Sequence, residues 1–519
     1  MNKLLLLLGG LISIASYGQQ NEIQLKYAET ITAADLKEDL LVIAADSMEG
    51  RETGTIGQQK AAKYISEHFA KSGIPAYNGS DYYQQYFLYK KGGYEATVVI
   101  DSNEYAFLKD FYFLPGAPIT DISATDFVFA GYGIDDEVYS DYSAIDVTNK
   151  WVLAWSGEPF DKKGYSLITE GEEPSEWSTK WRKKVAAAKE KGAAGIFVVD
   201  TNAENNAERY SHYIKKGSLA VEPFEKEDPF TCVFVSSKMG SDLMLASKKS
   251  EEKLRAYIRK KGKPASGIVN ADFSVYITSK EEKIPAQNVL GYVEGSDLKE
   301  EVIVISAHYD HIGVQDGKVF NGADDDGSGT VAVMDLAEAF AQAKADGHGP
   351  RRSMLFMTVS GEEMGLLGST YYTNHPVYPL ENTVANLNID MIGRLDENHA
   401  ENENYIYLIG SDKLSSELHD ISEKANVDYS NLELDYTFNA PDDPNRFYYR
   451  SDHYNFAKNN IPVIFYFNGV HEDYHKHTDT VDKILFDKME KITRLVFHTA
   501  WQLANQDKRI AADKVNDFK

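Results

Sequence analysis

Between residues 302 and 467 four long apolar runs alternate with helix-forming spans, and this alternation constrains the fold more than any other feature of the chain. The runs Val302-Ile303-Val304-Ile305, Met354-Leu355-Phe356-Met357, Val384-Ala385-Asn386-Leu387-Asn388-Ile389 and Val463-Ile464-Phe465-Tyr466-Phe467 read as buried strands. Helical spans near Gly329 to Lys344, Leu414 to Ala425 and Phe486 to Trp501 would cover the faces of their sheet. The expected fold is α/β, an open and mostly parallel or mixed sheet covered by helices. Such sheets bind ligands beyond the carboxyl ends of their strands.

Polar side chains gather where that rule places them. Ala307-His308-Tyr309-Asp310-His311 follows the first run, Ser360-Gly361-Glu362-Glu363 the second and Asp390-Met391 the third, and Asp473-Tyr474-His475 lies beyond the last. A fifth segment, Asn321-Gly322-Ala323-Asp324-Asp325-Asp326-Gly327-Ser328-Gly329, forms a turn into a helix. One polar residue after a strand is ordinarily a cap or a solvated loop residue. Five segments supplying His, Asp, Glu, Asp and His make a set of imidazoles and carboxylates, the ligand types of catalytic zinc. In the Glu362-Glu363 pair, adjacent side chains point in different directions, so one can hold a metal while the other receives a proton from water. Chemistry alone does not choose among Asp324, Asp325 and Asp326 for a carboxylate spanning two ions. Asp310, two residues after His308, is placed to orient that histidine through its other ring nitrogen, and His311 is a supporting or merely polar loop residue.

The remainder of the chain frames this half. Residues 31–70 read as two helices, broken by the connection Gly50-Arg51-Glu52-Thr53-Gly54-Thr55-Ile56-Gly57, which lacks the spacing of a phosphate-binding loop. From Phe113 to Gly267, short strands (Phe127 to Ala130, Trp151 to Trp155, Ala194 to Val199) and a helix over Val185 to Gly192 carry no dense set of metal-binding side chains. They indicate a separate domain over 113–267. Asn2 and Lys3 precede an apolar run from Leu4 to Ile14, and Ser16-Tyr17-Gly18 supplies small residues before Gln19. A signal peptide over 1–18 is expected, with no stable membrane span once it is removed and an exported, periplasmic or extracellular, product. With 80 acidic against 54 basic residues, the formal charge is -26, which disfavours nucleic acid and anionic membranes as partners. Cys232 is the only cysteine, so neither an internal disulfide nor a zinc finger is possible.

At these residues the chain resembles the di-zinc aminopeptidase and glutamate-carboxypeptidase-like family of metallopeptidases. The resemblance rests on Ala307-His308-Tyr309-Asp310, Gly322 to Gly329, Ser360 to Glu363, Asn388-Ile389-Asp390-Met391-Ile392-Gly393 and Asp473 to His475. It spans roughly Leu36 to Phe69 and Ala286 to Leu495, and the intervening region is similar to a protease-associated domain. Accordingly, 19–112 is expected to be the N-terminal part of a catalytic domain, 113–267 a smaller β-rich inserted protease-associated domain, and 268–519 the main catalytic part. The resemblance implies two Zn2+ ions per chain. Asp325 would bridge them, His308 and Asp390 would complete one site, and Glu363 and His475 the other. Glu362 would be the general base and Asp310 the orienter of His308. Tyr448, just before Ser451-Asp452-His453, resembles a tyrosine that stabilises the oxyanion. Asp326 stands where the family often has asparagine. Ser360 and Ser451 are loop-forming residues rather than nucleophiles.

The activity implied is removal of N-terminal residues from peptides. A carboxypeptidase, with Arg394 or Arg450 holding a terminal carboxylate, a glutaminyl cyclase and an inactive peptide-binding protein are the alternatives. Nothing in the sequence specifies an oligomeric partner.

Overall fold

The computed structural model describes residues 22–223, 229–245 and 250–517. The expected signal peptide, 1–18, lies outside them, and among the described residues no helix is long and apolar enough to cross a membrane. The chain divides into two compact units, Met1–Phe87 with Ile284–Lys519, and Leu88–Lys283.

The first unit is built on a mixed sheet with strands β1 (Leu298–His308), β2 (Arg352–Val359), β3 (Thr383–Ile389), β4 (Tyr405–Ile409), β5 (Glu433–Asp435) and β6 (Val463–Phe467). Their order is β5-β4-β6-β3-β1-β2, with residues 289–293 pairing antiparallel to β2. β6, β3, β1 and β2 run parallel to their neighbours, whereas β4 is antiparallel to β6. Helices α1 (Ala33–Ile43), α2 (Ile56–Lys71), α3 (Gly329–Ala345), α4 (Leu367–Asn374), α5 (Ser416–Ala425) and α6 (Phe486–Asn505) accompany the sheet.

The strands alternate between two cores. Ile303, Ile305 and Ala307 of β1 pack with Leu36, Leu40, Val331 and Leu495, while Val302 and Val304 pack with Tyr372 and Phe456. Both faces are covered, which is why these runs are apolar at successive positions. Burying one such Val or Ile side chain contributes about 1.5–3 kcal/mol. A single polar substitution in β1 would therefore disturb a core on whichever side it faced.

The parallel direction decides where the loops go. From β1 the chain passes through α3 to β2 on one side, then through α4 to β3 on the other. The strand order thus reverses at β1, and the crevice beyond the carboxyl ends of β1 and β3 is the position such sheets use for ligands.

In the second unit, residues 267–277 pair antiparallel with Thr120–Phe129. That strand continues in parallel to Trp151–Trp155, Gly195–Asp200 and Thr231–Ser236. The helix Trp181–Glu190 and the rings of Phe127, Trp151, Phe197 and Phe273 fill its core. Cys232 is a free thiol, and burial pushes its pKa up to about 12. The unit extends beyond the expected 113–267 at both ends, because two long strands, Tyr83–Ile100 and Gly267–Val293, carry the chain into and out of it. Tyr94, Tyr105, Phe111, Tyr112 and Phe113 belong to its core, so the aromatic residues before position 113 serve packing.

Candidate metal centre

Each segment singled out in the sequence arrives at one edge of the sheet. His308 is the last residue of β1, Glu362 and Glu363 follow β2, Asp390 follows β3, and His475 lies in the loop after β6. Asp325 sits in the turn before α3, where its peptide bond to Asp326 is cis.

The side chains converge. His308 Nε2 lies 3.4 Å from Asp325 Oδ1 and 3.6 Å from Asp390 Oδ1. His475 Nε2 lies 3.2 Å from Asp325 Oδ2 and 3.1 Å from Glu363 Oε2. Asp325 therefore faces two groups with its two oxygens, one pair toward β1 and β3 and the other toward the loops after β2 and β6. The choice among the three aspartates, which composition left open, falls to Asp325 by position.

The histidines and carboxylates of the centre are electrostatically paired with one another. Burial disfavours the charge on Asp325, yet contacts from His308 and His475 hold its pKa well below the usual carboxylate range. Burial alone would lower His308 and His475, but the surrounding carboxylates raise both, His475 to about 10. His308 Nε2, Asp325 Oδ2 and Glu363 Oε1 are buried and make no hydrogen bond among the described residues. Convergent buried nitrogen and oxygen atoms left without hydrogen bonds are the donor set that zinc takes, so the residues fit the metal.

Glu362 differs from its neighbour. Its Oε2 approaches His308 Nε2 at 3.8 Å, and burial, then the charges of Glu363, Asp390 and Asp452, raise its pKa well above the usual range. Burial raises Glu363 too, but close contacts with His311 and His475 prevail and hold it at about 2. One carboxyl is thus a ready proton acceptor and the other a fixed anion, as a base and a ligand require.

Supporting contacts came in part from residues that pattern reading passed over. Asp310 orients His308 through its backbone: His308 Nδ1 lies 3.1 Å from the Asp310 carbonyl, while the carboxylate is 3.8 Å from that nitrogen. The Asp310 carboxylate instead accepts hydrogen bonds from Thr53 Oγ1 and the Glu362 N–H. Asp326 accepts the backbone N–H groups of His308, Gly329 and Met391, tying together the end of β1, the start of α3 and the loop after β3. Both of its oxygens accept backbone N–H groups, and Asp326 also lies close enough to His308 and Asp390 to share a metal ion with them. Gly329 is required there, since a Cβ would lie 2.4 Å from Asp326 Oδ1. Asp479 accepts the N–H groups of Asp324 and Asp325. His311 Nδ1 lies 2.8 Å from Glu363 Oε1, so it is a close neighbour of the centre rather than a loop residue facing water.

Arg51 was read as part of a plain connection. It is fully buried, and its guanidinium donates to the carbonyls of Ile43, Tyr309, Asn321 and Gly322. These bonds fasten the loops that carry Asp310 and Asp325; burial lowers the pKa of the guanidinium, and four neighbouring aspartates work against that shift.

A cleft opens over the centre, lined by His308, Asp325, Glu362, Asp390 and His475 and walled by Met391, Phe447, Phe465, Phe467 and Val470. Tyr448 is not among its lining residues, because its ring packs in a cluster with Phe447, Phe456 and Phe465. The phenol that does line the cleft is Tyr474, stacked on His475 with ring centroids 3.9 Å apart. Arg394 ion-pairs with Asp473 at 2.8 Å, and Arg450 lines the cleft.

Residues 288–500 match the family model for Peptidase family M28. A probable zinc metalloprotease of Pyrenophora teres f. teres is 34% identical over 148 residues, covering 26% of this chain and 29% of that protein. Aminopeptidase YwaD of Bacillus subtilis is 28% identical over 152 residues, covering 27% of this chain and 31% of its own length. The matched stretches thus span less than a third of these curated relatives. Among solved structures, an aminopeptidase from Aneurinibacillus sp. strain AM-1 shares the fold at a TM-score of 0.52 and 18% identity, covering 95% of this chain and 98% of that one.

Proposed function

We propose, on the match of residues 288–500 to the model for Peptidase family M28, that the protein is a zinc-dependent aminopeptidase acting on extracytoplasmic peptides. The single observation that carries this reading is the convergence of His308, Asp325, Glu363, Asp390 and His475 with Glu362 left outside both ligand pairs. Two zinc ions would be held in this reading, one by His308 and Asp390 and one by Glu363 and His475, with Asp325 facing both pairs. Zinc, when bound, supplies a Lewis acid and lowers the pKa of water.

The chain's own residues do the rest. Glu362, raised in pKa and facing the same space as His308, accepts the proton of the attacking water and returns it to the leaving amine. Asp310 fixes Glu362 from behind by accepting its backbone N–H, and its carbonyl holds Nδ1 of His308 so that Nε2 faces the centre. Tyr474, rather than Tyr448, stands where a phenol can donate to the developing oxyanion. Met391, Phe447, Phe465, Phe467 and Val470 offer an apolar wall to the terminal side chain. Arg394 is already engaged by Asp473, which weighs against its holding a substrate carboxylate. The second unit is read as an inserted protease-associated domain, and the first 18 residues as an export signal.

Zinc-loaded protein incubated with free and N-acetylated forms of one peptide tests the activity. The free peptide should lose its first residue and the acetylated one should stay intact. Equal cleavage of both, release of C-terminal residues, or conversion of an N-terminal glutamine to pyroglutamate without loss of residues would each overturn the assignment.

A further inference from the structure

Arg450 is the one arginine or lysine that lines the cleft over the metal centre. It is exposed, and among the described residues no carboxylate pairs with it, whereas Arg394 is held by Asp473. Its guanidinium is nevertheless placed. The carbon Cζ lies 4.8 Å from the centre of the Phe447 ring, a cation–π contact, and Nη2 donates to Tyr474 Oη at 3.5 Å.

Tyr474 is fixed on its other sides. Its ring stacks on His475 at an interplanar angle of 22°, and its backbone N–H donates to the His471 carbonyl at 3.1 Å. The stack sets the plane of the phenol but leaves its O–H free to turn about the C–O bond. A phenol oxygen carries one proton and accepts through its lone pairs, so an N–H arriving from Arg450 takes a lone pair and turns the proton to another side. That proton meets no acceptor among the described residues, and Tyr474 borders the cleft.

We propose that Arg450 is a positioning residue for the oxyanion: by donating to Tyr474 Oη it aims the phenol O–H into the cleft, and its positive charge strengthens the hydrogen bond that the phenol gives. The inference rests on the peptidase reading, in which Tyr474 donates to the carbonyl oxygen of the scissile bond as negative charge gathers there. A donor aimed in advance at developing charge needs no reorientation when water attacks. At 3.5 Å the contact is longer than a settled N–H···O bond, as catalytic hydrogen bonds often are before substrate is bound. Arg450 thus acts through Tyr474 and touches no reacting atom, which gives it a task other than holding a substrate carboxylate.

A double-mutant cycle on steady-state hydrolysis of a peptide with an N-terminal leucine, by the zinc-loaded full chain, tests the role. Tyr474→Phe should lower kcat by roughly 100-fold, as loss of an oxyanion donor does, and Arg450→Gln by roughly tenfold with KM unchanged. In the Tyr474→Phe background Arg450→Gln should cost nothing further, within about twofold, because the oxygen on which Arg450 acts is gone. Losses that multiply in the double variant, an Arg450→Gln effect confined to KM, or no effect of Arg450→Gln on kcat would each overturn the proposal and leave the aminopeptidase reading standing. A parent protein that cleaves no free peptide overturns that reading, and this role with it.

Discussion

Glu362→Gln should lower kcat by about 10^2–10^4-fold while leaving zinc content near that of the parent protein. The amide preserves size, and the backbone N–H of residue 362 still donates to the Asp310 carboxylate, so the local fold is retained. What is lost is a carboxyl that burial and the charges of Glu363 and Asp390 have made a strong proton acceptor. Parallel measurement of turnover and of zinc by atomic spectrometry separates the possibilities. Unchanged turnover rejects the base role, and a loss of zinc in step with activity would make Glu362 a ligand instead. The same change at Glu363 should behave differently, because that carboxylate is held as an anion at about pH 2 and above and lies 3.1 Å from His475.

Asp325→Ala is expected to have the broadest effect of any single change, weakening zinc binding by more than about 100-fold at both positions and reducing peptide hydrolysis to background. Even an outer partner of a metal ligand ordinarily contributes 10–100-fold in affinity, and Asp325 faces His308 with one oxygen and His475 with the other. Equilibrium dialysis against zinc, followed by assay, reads both effects. Retention of both ions would show that the shared carboxylate is another residue. Asp326→Asn is the informative contrast: its oxygens are engaged by backbone N–H groups and the amide keeps an acceptor for them, so metal should be largely retained.

The centre was unusually legible in the sequence because parallel strands must end at one edge. Once β1, β2, β3 and β6 are identified as buried runs, the residues that follow them are neighbours whatever their separation along the chain. The segments that carry His308, Glu363, Asp390 and His475 are therefore brought together by topology, while the choice of those residues within them rests on the resemblance. Asp325 was narrower only by resemblance, since three adjacent aspartates share one composition and their different tasks depend on backbone direction. Asp326 turns to backbone N–H groups, Asp324 to the Gly393 N–H and His471, and Asp325 to the centre.

What escaped the sequence was the support. Arg51 sits about 250 residues before the loops it fastens, in a glycine-rich connection with no periodic signal. Its four partners are backbone carbonyls, which leave no trace in residue identity. The same holds for Asp310, whose carbonyl rather than carboxylate meets His308. Tyr448 and Tyr474 show the converse: position beside a motif suggested the first, while packing places the second in the cleft. Strand patterns indicate a separate domain over 113–267 and do not reveal that one strand can run from Gly267 to Val293 and serve different pairings along its length.

Crystals of the zinc-loaded protein, measured with anomalous scattering on either side of the zinc edge, test the central claim most directly. Two peaks roughly 3.5–4 Å apart are predicted, one against His308 and Asp390, the other against Glu363 and His475, with Asp325 touching both. A single peak, or zinc bound elsewhere with these five side chains free of it, would contradict the account.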